Sequence, residues 1–115
     1  MLFRSFGNGQ PVVCITGFSA DRLVWQNIVE NFAEKYQMIV FDNRGSGRSD
    51  IPDMPYTVEM FADDVVGLCN ALNIKSAHFM GLSMGGMILQ DLCYRYPQYV
   101  KSAIMENTAM QTGFR

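Results

Sequence analysis

Apolar and polar residues follow two different periods along this chain, one typical of buried strands and one typical of helices. Short apolar runs at 12–16 and 38–42 end in turn residues, as buried parallel strands do. Between them, apolar residues from Trp25 to Phe32 recur at i, i+3, i+4 and i+7, with polar residues on the opposite side. This spacing predicts an amphipathic helix between the two strands.

The second half of the chain repeats the alternation. Apolar residues at 61–72 follow the helical period, Thr57 is suited to cap that helix, and Glu59 falls in its first turn. The pattern also predicts three later elements, which are a strand at 76–80, a largely apolar and buried helix at 87–96 that Pro97 ends, and a strand at 101–105. The predicted fold class is therefore α/β, a doubly wound, mostly parallel sheet with helices on both faces.

The junction between the strand at 76–80 and the following helix reads Gly-Leu-Ser-Met-Gly-Gly, residues 81–86. A Gly-x-Ser-x-Gly pattern at such a junction is typical of a nucleophile elbow, a turn so tight that the serine hydroxyl stands clear of the backbone. Glycines two residues to either side avoid collisions in that turn. The pattern predicts that Ser83 lies in a strained backbone turn and acts as a catalytic nucleophile. A glycine-rich packing turn without chemistry is the alternative interpretation.

Two further segments are candidates for the same site. Thr16 and Gly17 follow the first predicted strand, so the backbone amide of Phe18 could join that of Met84 as an oxyanion hole. Glu106 directly follows the last predicted strand, a position from which a side chain could approach a catalytic serine. A solvated strand end is the more common role for such a glutamate.

The only histidine of the chain, His78, lies five residues before Ser83 on the strand that leads into the turn. Along an extended strand this separation is about 15 Å, whereas a general base must lie about 3 Å from the hydroxyl. We therefore interpret His78 as a hydrogen-bonded histidine of the sheet. No histidine of this chain is expected to activate Ser83, so the chain by itself does not hold a complete Ser-His-acid triad.

Residues 42–50 form a charged loop punctuated by glycines after the second predicted strand. Dinucleotide binding is disfavoured, because the third glycine of that fingerprint is missing and the loop runs into a proline-containing turn instead of a helix. Local structural bonding by Asp42 and Arg44 is favoured.

Composition narrows the classes of function. The 115 residues suffice for one domain at most, and a net charge of −2 with scattered Lys and Arg gives no support for a nucleic-acid partner. The apolar runs are too short to span a membrane, and no signal peptide is apparent. Cys14, Cys69 and Cys93 are odd in number and lack metal-ligand spacing, which favours free thiols in a reducing compartment, by default the cytoplasm.

Several motifs together resemble the N-terminal half of the α/β-hydrolase superfamily. They are Gly-Leu-Ser-Met-Gly-Gly at 81–86, Asp-Asn-Arg-Gly-Ser-Gly-Arg-Ser-Asp at 42–50, Pro-Tyr-Thr-Val at 55–58 and Glu-Asn-Thr-Ala at 106–109, in that family's order along the chain. Residues 77–87 and 107–109 are most similar to the 3-oxoadipate enol-lactonase group, and related esterases share much of this pattern. The common His-Gly of the oxyanion loop is Thr16-Gly17 here, which leaves the backbone amide in place.

The resemblance implies hydrolysis of a small carboxylic ester or lactone through an acyl-enzyme. It implies Ser83 as nucleophile, the amides of Phe18 and Met84 as oxyanion donors, and no metal or organic cofactor. Such hydrolases are typically more than twice as long, so residues 1–115 are expected to be an N-terminal portion that lacks the cap domain, the catalytic acid and the histidine. The alternative is a catalytically inactive module that folds and binds a partner or self-associates. A homo-oligomer is expected, with edge-to-edge pairing through the strand at 101–105.

Overall fold

The structure is a computed structural model that describes residues 3–16, 25–43 and 57–106. Strands and helices alternate through these ranges, as the sequence pattern predicts. In chain order the elements are β1 Phe3–Phe6, β2 Gln10–Ile15, α1 Gln26–Phe32, β3 Tyr36–Phe41, α2 Val58–Ala71, β4 Ala77–Leu82, α3 Met84–Arg95, a 3₁₀ helix Pro97–Tyr99 and β5 Val100–Glu106. None of the helices in these ranges is long and apolar enough to cross a membrane.

The strands form one five-stranded sheet in the order β1-β3-β2-β4-β5. Strands β2 to β5 are mutually parallel where they pair, and β1 pairs with β3 in the antiparallel direction. The parallel part confirms the predicted doubly wound sheet. The sequence analysis did not predict β1, a short edge strand whose residues are all exposed, including Phe6 at 43%.

Helices cover both faces of the sheet. On one face, α2 and α3 pack on alternate residues of the strands, with Val13, Ile39 and Phe79 among the fully buried core. On the other face, Trp25 and Val29 of the α1 region pack against β2 and β3. Phe32 belongs to the predicted apolar stripe of this helix, but it is 46% exposed. Phe32 lies at the end of α1, where its side chain lines a groove.

The helix ends show why these segments are helical. Thr57 caps α2, since its hydroxyl accepts a hydrogen bond of 3.1 Å from the backbone N–H of Met60, and Glu59 lies in the first turn. Helix α3 begins at Met84, three residues before the predicted start, directly after Ser83. Its buried Asp91 pairs with Arg95, whose guanidinium also reaches Asp63 of α2 at 3.0 Å. These contacts fix α3 against α2.

Candidate active site

Ser83 lies between the last residue of β4 and the first residue of α3. Its φ is 57° and its ψ is −125°, a backbone conformation that glycine adopts easily and other residues rarely. The turn is held on both sides, because the N–H of Ser83 donates to the carbonyl of Glu106 at 3.0 Å and its own carbonyl accepts from Gly86 at 2.9 Å. The predicted strained turn between a strand and a buried helix is confirmed.

The flanking glycines are required by close backbone contacts. A Cβ on Gly81 would lie 2.6 Å from the carbonyl oxygen of Gly85, one turn into α3. A Cβ on Gly85 would collide with the carbonyl oxygen of Ile15 at the end of β2. The spacing Gly-x-Ser-x-Gly therefore lets the start of α3 lie directly against both β4 and β2.

The Ser83 residue is exposed, and its side chain makes no hydrogen bond to the helix that it precedes. The hydroxyl is therefore not used as a helix cap. Met84 is the first residue of α3, and backbone amides in the first turn of a helix have no acceptor within the helix. Together with the helix dipole they favour negative charge next to Ser83. Phe18, the other predicted oxyanion donor, lies outside the described residues.

The ends of β2 and β3 carry buried polar residues beside this turn. Thr16, Asp42 and Asn43 are each fully buried. The side-chain amide of Asn43 donates from Nδ2 to the carbonyl oxygen of Thr16 at 2.9 Å, which links the two strand ends. The sequence analysis singled out Asp42 and Arg44 in this region and missed Asn43. Arg44 and the rest of the loop at 44–50 lie outside the described residues.

His78 is held at the opposite end of β4 from Ser83. Its Nδ1 lies 2.7 Å from the Oγ of Ser102 on β5, and its Nε2 lies 2.7 Å from the Oε1 of Gln10 on β2. Since Oε1 only accepts, Nε2 donates to it and Nδ1 accepts from the Ser102 hydroxyl. The prediction of a hydrogen-bonded sheet histidine is confirmed.

Glu106 is exposed at the end of β5. Its backbone carbonyl contacts the turn, where it accepts the hydrogen bond from the N–H of Ser83. This agrees with the prediction of a solvated strand end. The residue helps to hold the turn through its backbone.

All three cysteines are free thiols, as predicted. Burial raises the pKa of Cys14 to about 12 and that of Cys69 to about 11, and it also raises the pKa of the half-buried Cys93. The three thiols are therefore protonated at neutral pH, and a protonated thiol is a poor nucleophile. Ser83 is the better candidate nucleophile among the described residues.

The fold agrees with comparisons to known proteins. The sequence model of the alpha/beta hydrolase fold family matches residues 10–114, so the chain belongs to this family. It is 38% identical over 113 residues to 3-oxoadipate enol-lactonase 2 of Acinetobacter baylyi, covering 96% of this chain and 42% of that protein. The predicted family and the likeness to enol-lactonases are confirmed.

Solved structures show the same likeness. The enol-lactonase from Burkholderia xenovorans LB400 superposes with a TM-score of 0.90 at 32% identity, over 94% of this chain and 43% of that one. A thermophilic esterase from Thermogutta terrifontis superposes with a TM-score of 0.91 at 34% identity, over 94% and 40%. The chain thus spans about two fifths of the length of these relatives.

Proposed function

We propose that this chain carries the nucleophile of a serine hydrolase that cleaves a small carboxylic ester or lactone. In this mechanism the Oγ of Ser83 attacks the carbonyl carbon, and its proton passes to a general base. The amides of Met84 and Phe18 stabilise the negative charge that develops on the carbonyl oxygen. The bond to the leaving oxygen then breaks, that oxygen takes up a proton, and water hydrolyses the acyl-enzyme.

The observation that carries this proposal is the conformation of Ser83. Its exposed side chain, positive φ and place at the N-terminus of a buried helix match what a nucleophile elbow requires. Relatives named as enol-lactonases and an esterase support the substrate class. No metal or organic cofactor enters the mechanism.

The general base is proposed to come from outside these 115 residues. His78 is the only histidine, and both of its ring nitrogens are engaged by Ser102 and Gln10. The share of the relatives that the chain matches fits an N-terminal portion of a hydrolase domain, with a cap domain and a C-terminal half that bring the base and the acid. The three free thiols support a reducing compartment, for which we propose the cytoplasm.

A serine-directed fluorophosphonate tests the nucleophile. We expect the purified chain to be modified slowly at one site, located by peptide mass spectrometry at Ser83, and to turn over activated esters poorly because it lacks a base. Modification is expected to disappear in Ser83→Ala and to persist in Ser102→Ala. Ser102 is the matched control because its hydroxyl is the one bonded to the histidine. Labelling that follows Ser102 instead, or none at all, would refute the proposal.

Self-association is the second candidate function, and the edge of the sheet favours it. Among the strands of the described residues, β5 pairs with β4 alone, and all of its residues after Val100 are exposed, with Ile104 at 57%. A neighbouring apolar groove of about 230 Å³, lined by Phe32 and Met80 among others, continues this surface. Unpaired strand edges and apolar patches favour pairing with another chain.

Light scattering tests the association. We expect a homodimer or larger oligomer at tens of micromolar, weakened by Ile104→Lys and unchanged by Tyr94→Lys. Tyr94 is a matched control because it is a similarly exposed apolar residue, at 60%, on α3. A stable monomer at that concentration would exclude this candidate.

A further inference from the structure

Glu106 places a charged side chain beside the turn that presents Ser83. Its backbone oxygen accepts from the N–H of Ser83 at 3.0 Å, which holds its Cα within about 5.5 Å of the Ser83 nitrogen. In the register of β4 and β5, Glu106 is the partner of Leu82, the residue before Ser83. Paired residues of neighbouring strands point to the same face of a sheet, so the Glu106 side chain begins next to Leu82, on the face that α1 covers.

The carboxylate of Glu106 has no ion-pair partner among the described residues. It is exposed, and the ion pairs within this part of the chain are those of Arg95 with Asp91 and Asp63. The bond that holds the turn uses only the backbone oxygen of Glu106, which any residue would supply. The negative charge is therefore available to act on a molecule that approaches Ser83.

The described cations lie away from this end of β4 and β5. They are Lys35, Lys75 and Lys101 at the amino ends of β3, β4 and β5, Arg95 at the end of α3, and Arg4 on β1 at the opposite edge of the sheet. Lys101 shares a strand with Glu106 but lies about 16 Å away along it. No cation of residues 3–16, 25–43 and 57–106 therefore neutralises the charge beside Ser83.

We propose that Glu106 is a specificity-determining residue, which makes the Ser83 site favour cationic and neutral esters or lactones over those that carry a carboxylate. This inference rests on the proposed function. A substrate that bonds to the Oγ of Ser83 brings its other groups to on the order of 10 Å from the Glu106 carboxylate. At that distance, with an effective dielectric constant of about 40–80 and an ionic strength of about 0.01 M, one unit charge changes a rate about twofold to threefold.

The test compares two fluorophosphonates of equal chain length, one ending in a trimethylammonium group and one in a carboxylate. The measured quantity is the ratio of their second-order rate constants for labelling Ser83, which cancels any effect common to both probes. We expect Glu106→Gln to lower the ratio of cationic to anionic probe by about threefold to ninefold at an ionic strength of about 0.01 M. At about 1 M salt this difference between the variants should disappear, because charges are then screened within about 3 Å.

Glu59→Gln is the matched control. Glu59 is also an exposed glutamate, but its carbonyl accepts from Arg95 at the far end of α3, about 18 Å from Ser83 along that helix. We expect its ratio to change by less than about twofold, and Tm of both variants to stay within about 4 °C of the original chain. Arg44 and Arg48, which lie outside the described residues, carry the same charge in both variants, so the comparison isolates Glu106.

The outcomes separate this inference from the proposed function. If the original chain reacts at Ser83 but Glu106→Gln leaves the ratio unchanged or raises it, the specificity role is wrong while the proposed function stands. If Glu59→Gln lowers the ratio as much as Glu106→Gln does, the preference follows net charge and not the position of Glu106, and the inference is likewise wrong. If the original chain does not react at Ser83 with either probe, the proposed function fails and takes this inference with it.

Discussion

Replacing Ser83 with glycine should make the protein more stable than replacing it with alanine. Both variants lack the hydroxyl, so they differ only in the backbone preference at φ 57° and ψ −125°. A residue with a Cβ held in such a conformation costs about 1–3 kcal/mol. Glycine avoids this cost but loses about 0.4–1 kcal/mol through the greater freedom of its unfolded chain. The net advantage of Ser83→Gly is therefore about 0.5–2 kcal/mol.

Thermal denaturation followed by circular dichroism measures this difference. For a domain of this size we expect Tm of Ser83→Gly to exceed that of Ser83→Ala by about 2–8 °C. The control is the same pair of substitutions at Asn73, whose φ is 58° in the turn after α2. The difference in Tm between its glycine and alanine variants measures the advantage of glycine at a positive φ outside the candidate site. If glycine is favoured at Asn73 but not at Ser83, the turn at Ser83 is not strained and the argument for an elbow is wrong.

Three further predictions concern the stability of the fold, through a glycine of the turn, an ion pair of α3 and a buried thiol of β2. Gly85→Ala should lower the free energy of unfolding, measured in urea, by about 2–3 kcal/mol, because a Cβ at this position meets the backbone of β2. Gly67→Ala in α2 is the control. A Cβ there meets nothing within 4 Å, so this substitution should raise the free energy of unfolding by about 0.5–1 kcal/mol. Arg95→Met should cost about 3 kcal/mol by the same assay, because it leaves the carboxylate of Asp91, 4% exposed, without its cation. The raised pKa of Cys14, about 12, means that the unfolded chain releases a proton above about pH 9 that the folded chain keeps. Cys14 alone should therefore lower the free energy of unfolding by about 1.4 kcal/mol per pH unit between about pH 9 and 12, and Cys14→Ala should remove this share of the total slope, to which Cys69 and Cys93 also contribute.

Much of the candidate site was predictable because its signals are local. The turn at Ser83 and the contact between Gly81 and Gly85 involve residues that are close along the chain, so the strained turn could be predicted directly from the sequence. The same holds for the cap of α2, where Thr57 bonds to an amide three residues later. The three-residue error at the start of α3 arose because glycines have a low helix propensity, which packing of Gly85 against β2 overrides.

Features that depend on distant partners were missed. The edge strand β1 has no buried alternation, so nothing in its own residues identifies it before β3 lies beside it. The exposure of Phe32 follows from what covers the end of α1, which its periodicity does not report. Asn43 reads as an ordinary loop residue until its amide is seen to reach Thr16, 27 residues earlier.

The sequence by itself determined the order and type of the central elements, the family, and the turn that presents Ser83. It also ruled out His78 as a base for Ser83, since strand geometry separates residues of one strand in a known way. Only the tertiary structure decided which strands are neighbours, that His78 is held between Gln10 and Ser102, and that Asn43 links the ends of β2 and β3. The physical reason is that local periodicity reports which side of an element is apolar, whereas strand order and polar contacts between distant residues depend on how the whole sheet packs.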